Sequence, residues 1–439
     1  MDINVMRVEG GRPLMGEVAV RGAKNLVPKA MVASLLGQTP SVLANVPAIR
    51  DVEVVSDLLR IHGVAVEWDD DGGLVAMDPA NVDAARVADI SVHAGSSRIP
   101  ILLCGPLLHR LGKAFIPSLG GCAIGGRPIN YHLDILRSFG AEVAKEPDGV
   151  LLSAPSGLRG TQVVLEYPSV GATEQTLLTA VLAEGITELR GAAVEPEIMD
   201  LVAVLQKMGA IISTETDRVI RIEGVESLTG FTHTAMPDRI EAANWAAAAL
   251  VTGGDIAVAG ARQPDMMTFL NYFRKIGGAF DVLSDGIRFF RANGKLASIA
   301  LETGVHPGFM TDWQQPVVVA LTQAEGLSIV HETVYEQRFG FTEALRSMGA
   351  RIQLYPNCLG GLPCRFGAMN YLHSAVVSGP TPLRAAEIEI PDLRGGFSHV
   401  IAALAAQGTS TIHGIDLIDR GYEHFNDKLA ALGARFWRD

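Results

Sequence analysis

Cysteine is scarce in this chain: four in 439 residues, at Cys104, Cys122, Cys358 and Cys364. That is too few for a disulfide scaffold, and their spacings along the chain match no zinc motif. Basic residues are also in the minority, 36 Lys and Arg against 48 Asp and Glu, which gives a formal net charge of −12. Nucleic-acid binding needs basic surface, so that class of partner is excluded. No apolar run approaches the length of a membrane span. The first residues also lack the basic, apolar, small-residue order of a signal peptide. The expectation is a soluble, cytoplasmic protein in a reducing compartment, with no membrane association and no obligate protein partner. At 439 residues the chain exceeds one ordinary core, so two domains are expected.

What the chain does have is glycine in an ordered pattern. Six times a small-residue-rich stretch ends at glycine: Gly37, Gly112, Gly185, Gly254, Gly326 and Gly408. A second set follows each in turn: Gly63, Gly140, Gly209, Gly277, Gly349 and Gly433. The local sequences repeat as well, Leu205–Gln206–Lys207–Met208–Gly209–Ala210 beside Leu345–Arg346–Ser347–Met348–Gly349–Ala350. Stretches such as Thr176–Glu184, Trp245–Val251 and Val400–Gln407 are apolar all round and read as buried helices stopped by a C′ glycine. β-branched runs such as Thr409–Ser410–Thr411–Ile412 read as strands. Pro47, Pro196 and Asp265 mark the start of a second helix, and a further strand such as Ala65–Val66–Glu67–Trp68 follows the second glycine. Each unit is then strand-helix-strand-helix-strand, roughly seventy residues, too small to bury its helices alone. The pattern predicts an α/β fold of six βαβαβ-type units, three per domain, with ligands bound in the cleft between two similar lobes.

The most unusual local sequence is Gly120–Gly121–Cys122–Ala123–Ile124–Gly125–Gly126–Arg127–Pro128. A thiol between two glycine pairs sits on a loop, and a nearby cation such as Arg127 favours the reactive thiolate. The alternative is a buried structural cysteine, a description that suits Cys104 inside the apolar run Ile99–Leu108. Lys24, Arg98, Arg127, Arg338, Arg394 and Arg420 all stand beside glycine or turn residues. Gathered together they would focus positive potential on a small anion; singly, each reads as a surface charge or local salt bridge. Ser169–Val170–Gly171–Ala172–Thr173 precedes a helix, where free N–H groups could hold phosphate or Ser169 could simply be the N-cap. Asp312 is expected to cap the helix after it, although a carboxylate facing a cleft there could also accept a hydroxyl proton.

Taken together these loops resemble the enolpyruvyltransferase family, and within it the branch acting on UDP-N-acetylglucosamine. The resemblance runs almost end to end: Arg21–Gly22–Ala23–Lys24–Asn25, the Cys122 loop, Ser169–Thr173, Pro237–Asp238–Arg239, Thr311–Asp312, Glu336–Gln337–Arg338–Phe339 and Asp419–Arg420–Gly421–Tyr422. It implies a two-domain inside-out α/β prism, residues 24–236 forming one domain and 1–23 with 237–439 the other. It also implies transfer of the enolpyruvyl group of phosphoenolpyruvate to the sugar 3-hydroxyl, with release of phosphate. Lys24, Arg127 and Arg420 would hold phosphoenolpyruvate. Cys122 would protonate C3 and be the target of fosfomycin, and Asp312 would be the base. Asn25 would lie close to the sugar, and Arg98, Arg239, Arg338 and Arg394 would complete the charged cleft. Arg127, Pro128, Ile129, Asn130, Tyr131 and His132, with Ser169, Val170 and Gly171, would hold the uridine diphosphate. No metal and no organic cofactor is implied, because the leaving group is already activated. Asn130, Tyr131, Tyr167 and Met310 depart from the family's usual residues. These departures leave another uridine nucleotide such as UMP as the alternative acceptor.

Overall fold

The glycine-bounded repeats become six small sheets in the computed structural model of the chain, which describes residues 4–82, 98–117, 129–292, 294–362 and 364–438. Cys122, Arg127 and Pro128 lie outside the described residues. One repeat shows the plan. The strand Gln162–Val164 leads to the helix Val170–Ala180, then Ile186–Arg190, the helix Pro196–Lys207, and the hairpin of Ile211–Glu215 and Val219–Glu223. In the sheet, Ile186–Arg190 runs parallel to Gln162–Val164 and antiparallel to Val219–Glu223, which pairs in turn with Ile211–Glu215. The expected three strands per unit are therefore corrected to four, because the chain turns back after the third and inserts its last strand centrally. Five sheets have four described strands, and the sheet of Lys113–Pro117, Gly149–Ser153 and Glu142–Glu146 has three.

Three strands come from distant sequence. Thr232–Thr234 pairs with Ser41–Ala44, Met15–Ala19 with Asp255–Ala259, and Val5–Glu9 with both Thr409–His413 and Arg435–Arg438. The described chain divides accordingly into two compact units, residues 21–236 and residues 4–20 with 237–438. Each has its own hydrophobic core.

In each unit the helices lie inside and the sheets outside. In the second unit Arg239–Thr252, Gln314–Thr322 and Leu393–Ala405 pack against one another and are buried on nearly every side. Their alanines and β-branched residues permit that close approach, and an aromatic cluster fills the space beside them. Trp245 meets Phe397 edge-on at 4.8 Å between centroids and stacks on Phe425 at 5.9 Å. Burial of side chains of this size contributes roughly 1.5–3 kcal/mol each. In the first unit Val27–Ala33, Cys104–Leu111 and Val170–Ala180 occupy the equivalent positions. The strands alternate buried and exposed residues, so one face of each sheet meets solvent.

Ten of the twelve pattern glycines adopt positive φ, between 68° and 113°. Seven of them close helices as expected; Gly185, Gly326 and Gly408 are corrected to turns before a strand, because their helices already end at Ala180, Thr322 and Ala405. Gly37 does not adopt positive φ (−79°). Nor does Gly254: the left-handed cap of Arg239–Thr252 is Gly253, at φ 64°. Gly254 is glycine for a different reason, since a Cβ there would stand 2.1 Å from the Leu14 carbonyl oxygen.

Candidate active site

In the first unit the candidate residues gather at helix starts. Ser169 is the N-cap of Val170–Ala180, its Oγ accepting from the Ala172 N–H at 3.3 Å. Gly171, in the first turn, faces the His132 ring so closely that a Cβ would stand 3.2 Å from its Cε1 and Nε2. His132 lies in the first turn of Asn130–Ser138, with Nδ1 3.3 Å from Gln175 Oε1. The structure thus brings His132 together with Ser169–Gly171 and points two helix N-termini, the positive ends of their dipoles, at one region. Ile129 precedes that helix, while Asn130 and Tyr131 are exposed, Tyr131 by 49%.

Lys24 and Asn25 precede the buried helix Val27–Ala33. The Lys24 ammonium pairs with Asp51 at 2.5 Å, and Lys29 donates to the Asn25 carbonyl at 2.7 Å while approaching Glu174 at 3.5 Å. Lys29 therefore ties the Asn25 turn to the Ser169-capped helix. Burial pushes the Glu174 carboxyl up to about 7, with Lys29 opposing and Glu195 and Glu197 reinforcing the shift. Arg98 stands half-buried at the entry to the 3₁₀ helix Ile99–Leu103.

In the second unit the structure assembles a charged cluster around Asp312. Its carboxylate forms an ion pair with Arg338 and lies 3.7 Å from Arg394 Nε. The expected capping role is corrected: Trp313 is the N-cap of Gln314–Thr322, and the Asp312 side chain turns to the two guanidiniums instead. Burial works against charge on Arg338, but the fields of Asp312, Asp392 and Glu332 outweigh it and raise its pKa. Arg394 follows the same pattern: its hydrogen bond to the Tyr422 oxygen and the fields of Asp312 and Asp238 overcome burial. The Tyr422 hydroxyl accepts from Arg394 Nη1 at 2.9 Å and from Asn244 Nδ2 at 3.3 Å. Burial pushes that hydroxyl up to about 12 despite Arg394, so it stays a neutral phenol. Arg239, buried in the first turn of its helix, lies over the Trp313 ring at 5.1 Å. Arg420 ends the short helix Asp416–Asp419, two residues before Tyr422.

Several residues around this cluster carried no assigned role in the sequence. Glu332 is wholly buried: its Oε1 accepts from the Val334 and Tyr335 N–H groups at 2.7 and 2.9 Å. Its Oε2 accepts from Thr311 at 3.0 Å and Gln314 at 2.6 Å. It therefore fixes the Thr311–Trp313 turn that presents Asp312. The Gln315 amide, with its oxygen turned inward, accepts from Arg338 Nε at 2.6 Å. The available signal was a lone acidic residue closing the apolar strand Gly326–His331. Cys104 is buried, and burial pushes its thiol well above the ordinary range. It is the inert cysteine that its apolar surroundings predict. No helix among the described residues is long and apolar enough to cross a membrane.

A fold of helix-filled units, with arginines and aspartates at the starts of buried helices, matches known enzymes. The family model for EPSP synthase (3-phosphoshikimate 1-carboxyvinyltransferase) matches residues 8–429, and the chain belongs to that family. Among its relatives, the UDP-N-acetylglucosamine 1-carboxyvinyltransferase of Protochlamydia amoebophila is 48% identical over 98% of this chain and 94% of its own. The protein of the same name from Chlamydia trachomatis serovar D is 45% identical, covering 98% of this chain and 97% of its own. The solved structure of the enolpyruvyl transferase NikO from Streptomyces tendae superimposes with a TM-score of 0.87. It covers 99% of this chain and 98% of its own at 23% identity, a likeness of fold alone.

Proposed function

We propose that the chain transfers the enolpyruvyl group of phosphoenolpyruvate to the 3-hydroxyl of UDP-N-acetylglucosamine and releases phosphate. The observation that carries this reading is 48% identity, over 98% of the chain, with a relative named for that reaction. The setting of Asp312 supports it. A carboxylate held by Glu332-anchored backbone and by two buried guanidiniums is a base fixed in position before a hydroxyl arrives.

In this reading the 3-hydroxyl gives its proton to Asp312 while its oxygen bonds to C2 of phosphoenolpyruvate, and Cys122 gives a proton to C3. The C2–O bond to phosphate then breaks, C3 loses a proton, and the double bond re-forms. Lys24, Arg127 and Arg420 hold the phosphoenolpyruvate anions. His132 and the Ser169–Gly171 turn receive the diphosphate, with Asn25 beside the sugar. Such an enzyme works in the cytoplasm at the first committed step of peptidoglycan precursor synthesis, upstream of cell shape and division. Phosphate release from phosphoenolpyruvate is the test: it should require UDP-N-acetylglucosamine. Release that is independent of any acceptor, or none with any uridine nucleotide, would sink the proposal.

A further inference from the structure

Four of the repeats with a described hairpin close it tightly. Two to four residues join Ala65–Asp69 to Leu74–Asp78, Glu142–Glu146 to Gly149–Ser153, Ile211–Glu215 to Val219–Glu223, and Gly278–Val282 to Gly286–Arg291. The fifth is different. Between Arg351–Tyr355 and Ser374–Gly379 the chain runs through eighteen residues, 356–373, with no helix or strand among those described. A connection of this length needs something to hold it. Its apolar side chains do not serve: Leu359, Leu362, Met369 and Leu372 are 38–52% exposed, and Phe366 is the buried exception.

What this connection does contain is Cys358, Cys364 and His373, and they meet His331 at the end of the adjacent strand. One ring nitrogen of each histidine and both sulfurs lie within 4.8 Å of one another. Cys358 Sγ stands 3.3 Å from His373 Nε2. A tetrahedral zinc with bonds near 2.3 Å to sulfur and 2.0 Å to nitrogen sets such neighbours roughly 3.5 Å apart.

The surroundings fix both rings for ligation. His373 Nδ1 is 2.8 Å from the Tyr371 carbonyl, an acceptor only, so Nδ1 carries the hydrogen and Nε2 keeps its lone pair. His331 Nδ1 faces Glu302 Oε2 at 3.2 Å, and the same argument leaves its Nε2 as the lone-pair donor. That Nε2 is buried and has no hydrogen-bond partner, an expensive arrangement for a polar atom unless a ligand completes it. Glu302 in turn accepts from the Gly361 and Leu362 N–H groups, each at 2.9 Å, which locks the carboxylate behind the histidine. A carboxylate backing a histidine in this way is the usual outer support of a metal ligand. Gly360 permits it, since a Cβ there would stand 2.2 Å from Glu302 Oε2 and 2.3 Å from His331 Nδ1.

We propose that His331, Cys358, Cys364 and His373 form a structural zinc site that fastens the 356–373 connection to its sheet. Two thiolates and two imidazoles are the closed tetrahedral donor set that selects zinc. Binding exchanges two thiol protons for one Zn²⁺, leaving a site with no net charge and Glu302 behind it. The spacing argument that excluded zinc from the sequence fails for a physical reason. Two of the ligands come from strand ends, and one of them, His331, lies 27 residues before Cys358.

The full chain, purified without a metal-affinity step, should carry about one zinc per molecule by elemental analysis. Replacement by Co²⁺ should give the intense visible bands and thiolate charge-transfer absorption of a tetrahedral sulfur-nitrogen site. Chelation should expose the 356–373 connection to limited proteolysis. Cys358→Ser and Cys364→Ser should lose the metal, and Cys104→Ala should keep it. A wild-type protein that holds no zinc and gives no such cobalt spectrum would overturn the proposal, whatever the variants do. So would an intact mass showing Cys358 and Cys364 joined as a disulfide.

Discussion

Glu174 offers a quantitative test of the buried charge beside the candidate diphosphate turn. It is 4% exposed in the helix Val170–Ala180, and burial raises its carboxyl pKa from 4.5 to about 7, with Lys29 opposing the shift. A carboxyl whose folded pKa lies above its unfolded value takes up a proton on folding. Its contribution to stability is complete below pH 4.5 and is lost as the pH rises to about 7. The displacement from 4.5 to about 7 corresponds to about 3 kcal/mol at most. Glu174→Gln keeps the shape and removes the titration. The stability of the variant relative to the wild type should therefore climb by about 3 kcal/mol between pH 4.5 and pH 8. The attraction of Lys29 for the ionised carboxylate is already contained in that displacement. Scanning calorimetry suits a chain of two units, because two-state behaviour is not assumed. For a unit of about two hundred residues the relative midpoint should rise by roughly 6–12 °C across that range. A difference independent of pH, or one that falls with pH, would refute the reasoning.

Asp312→Asn should lower turnover by roughly 10²–10⁴-fold, because an amide cannot take the hydroxyl proton. Calorimetric titration should find nucleotide-sugar affinity little changed. Tyr422→Phe leaves a buried Arg394 N–H and the Asn244 amide each one acceptor short. It should cost about 1–3 kcal/mol, read from the denaturant midpoint. Fosfomycin should add its mass to the wild-type chain and not to Cys122→Asp, which should retain some activity; a modified variant would remove Cys122 from the site.

The prism was legible because its punctuation is local. A left-handed residue at a helix end or before a strand favours glycine, and ten such positions recur in order. The fourth strand of the 162–223 repeat was hidden for the converse reason. The turn before Val219–Glu223 uses Asp217 and Arg218, at φ 56° and 60°, with no glycine to mark it. Asp312 read as a cap because its neighbours in sequence form a helix start, whereas its partners Arg338 and Arg394 lie 26 and 82 residues away. Tyr422 and Glu332 escaped because a buried hydrogen-bond network leaves no local pattern. The four zinc ligands escaped because their meeting depends on strand pairing rather than chain spacing.

Equal concentrations of UDP-N-acetylglucosamine and UMP, offered together with phosphoenolpyruvate to the full chain, test the central claim most directly. Mass spectrometry of the products should show the enolpyruvyl ether of the sugar nucleotide alone, with phosphate released in equal amount. An enolpyruvyl product formed on UMP, with the sugar nucleotide left untouched, would contradict the account.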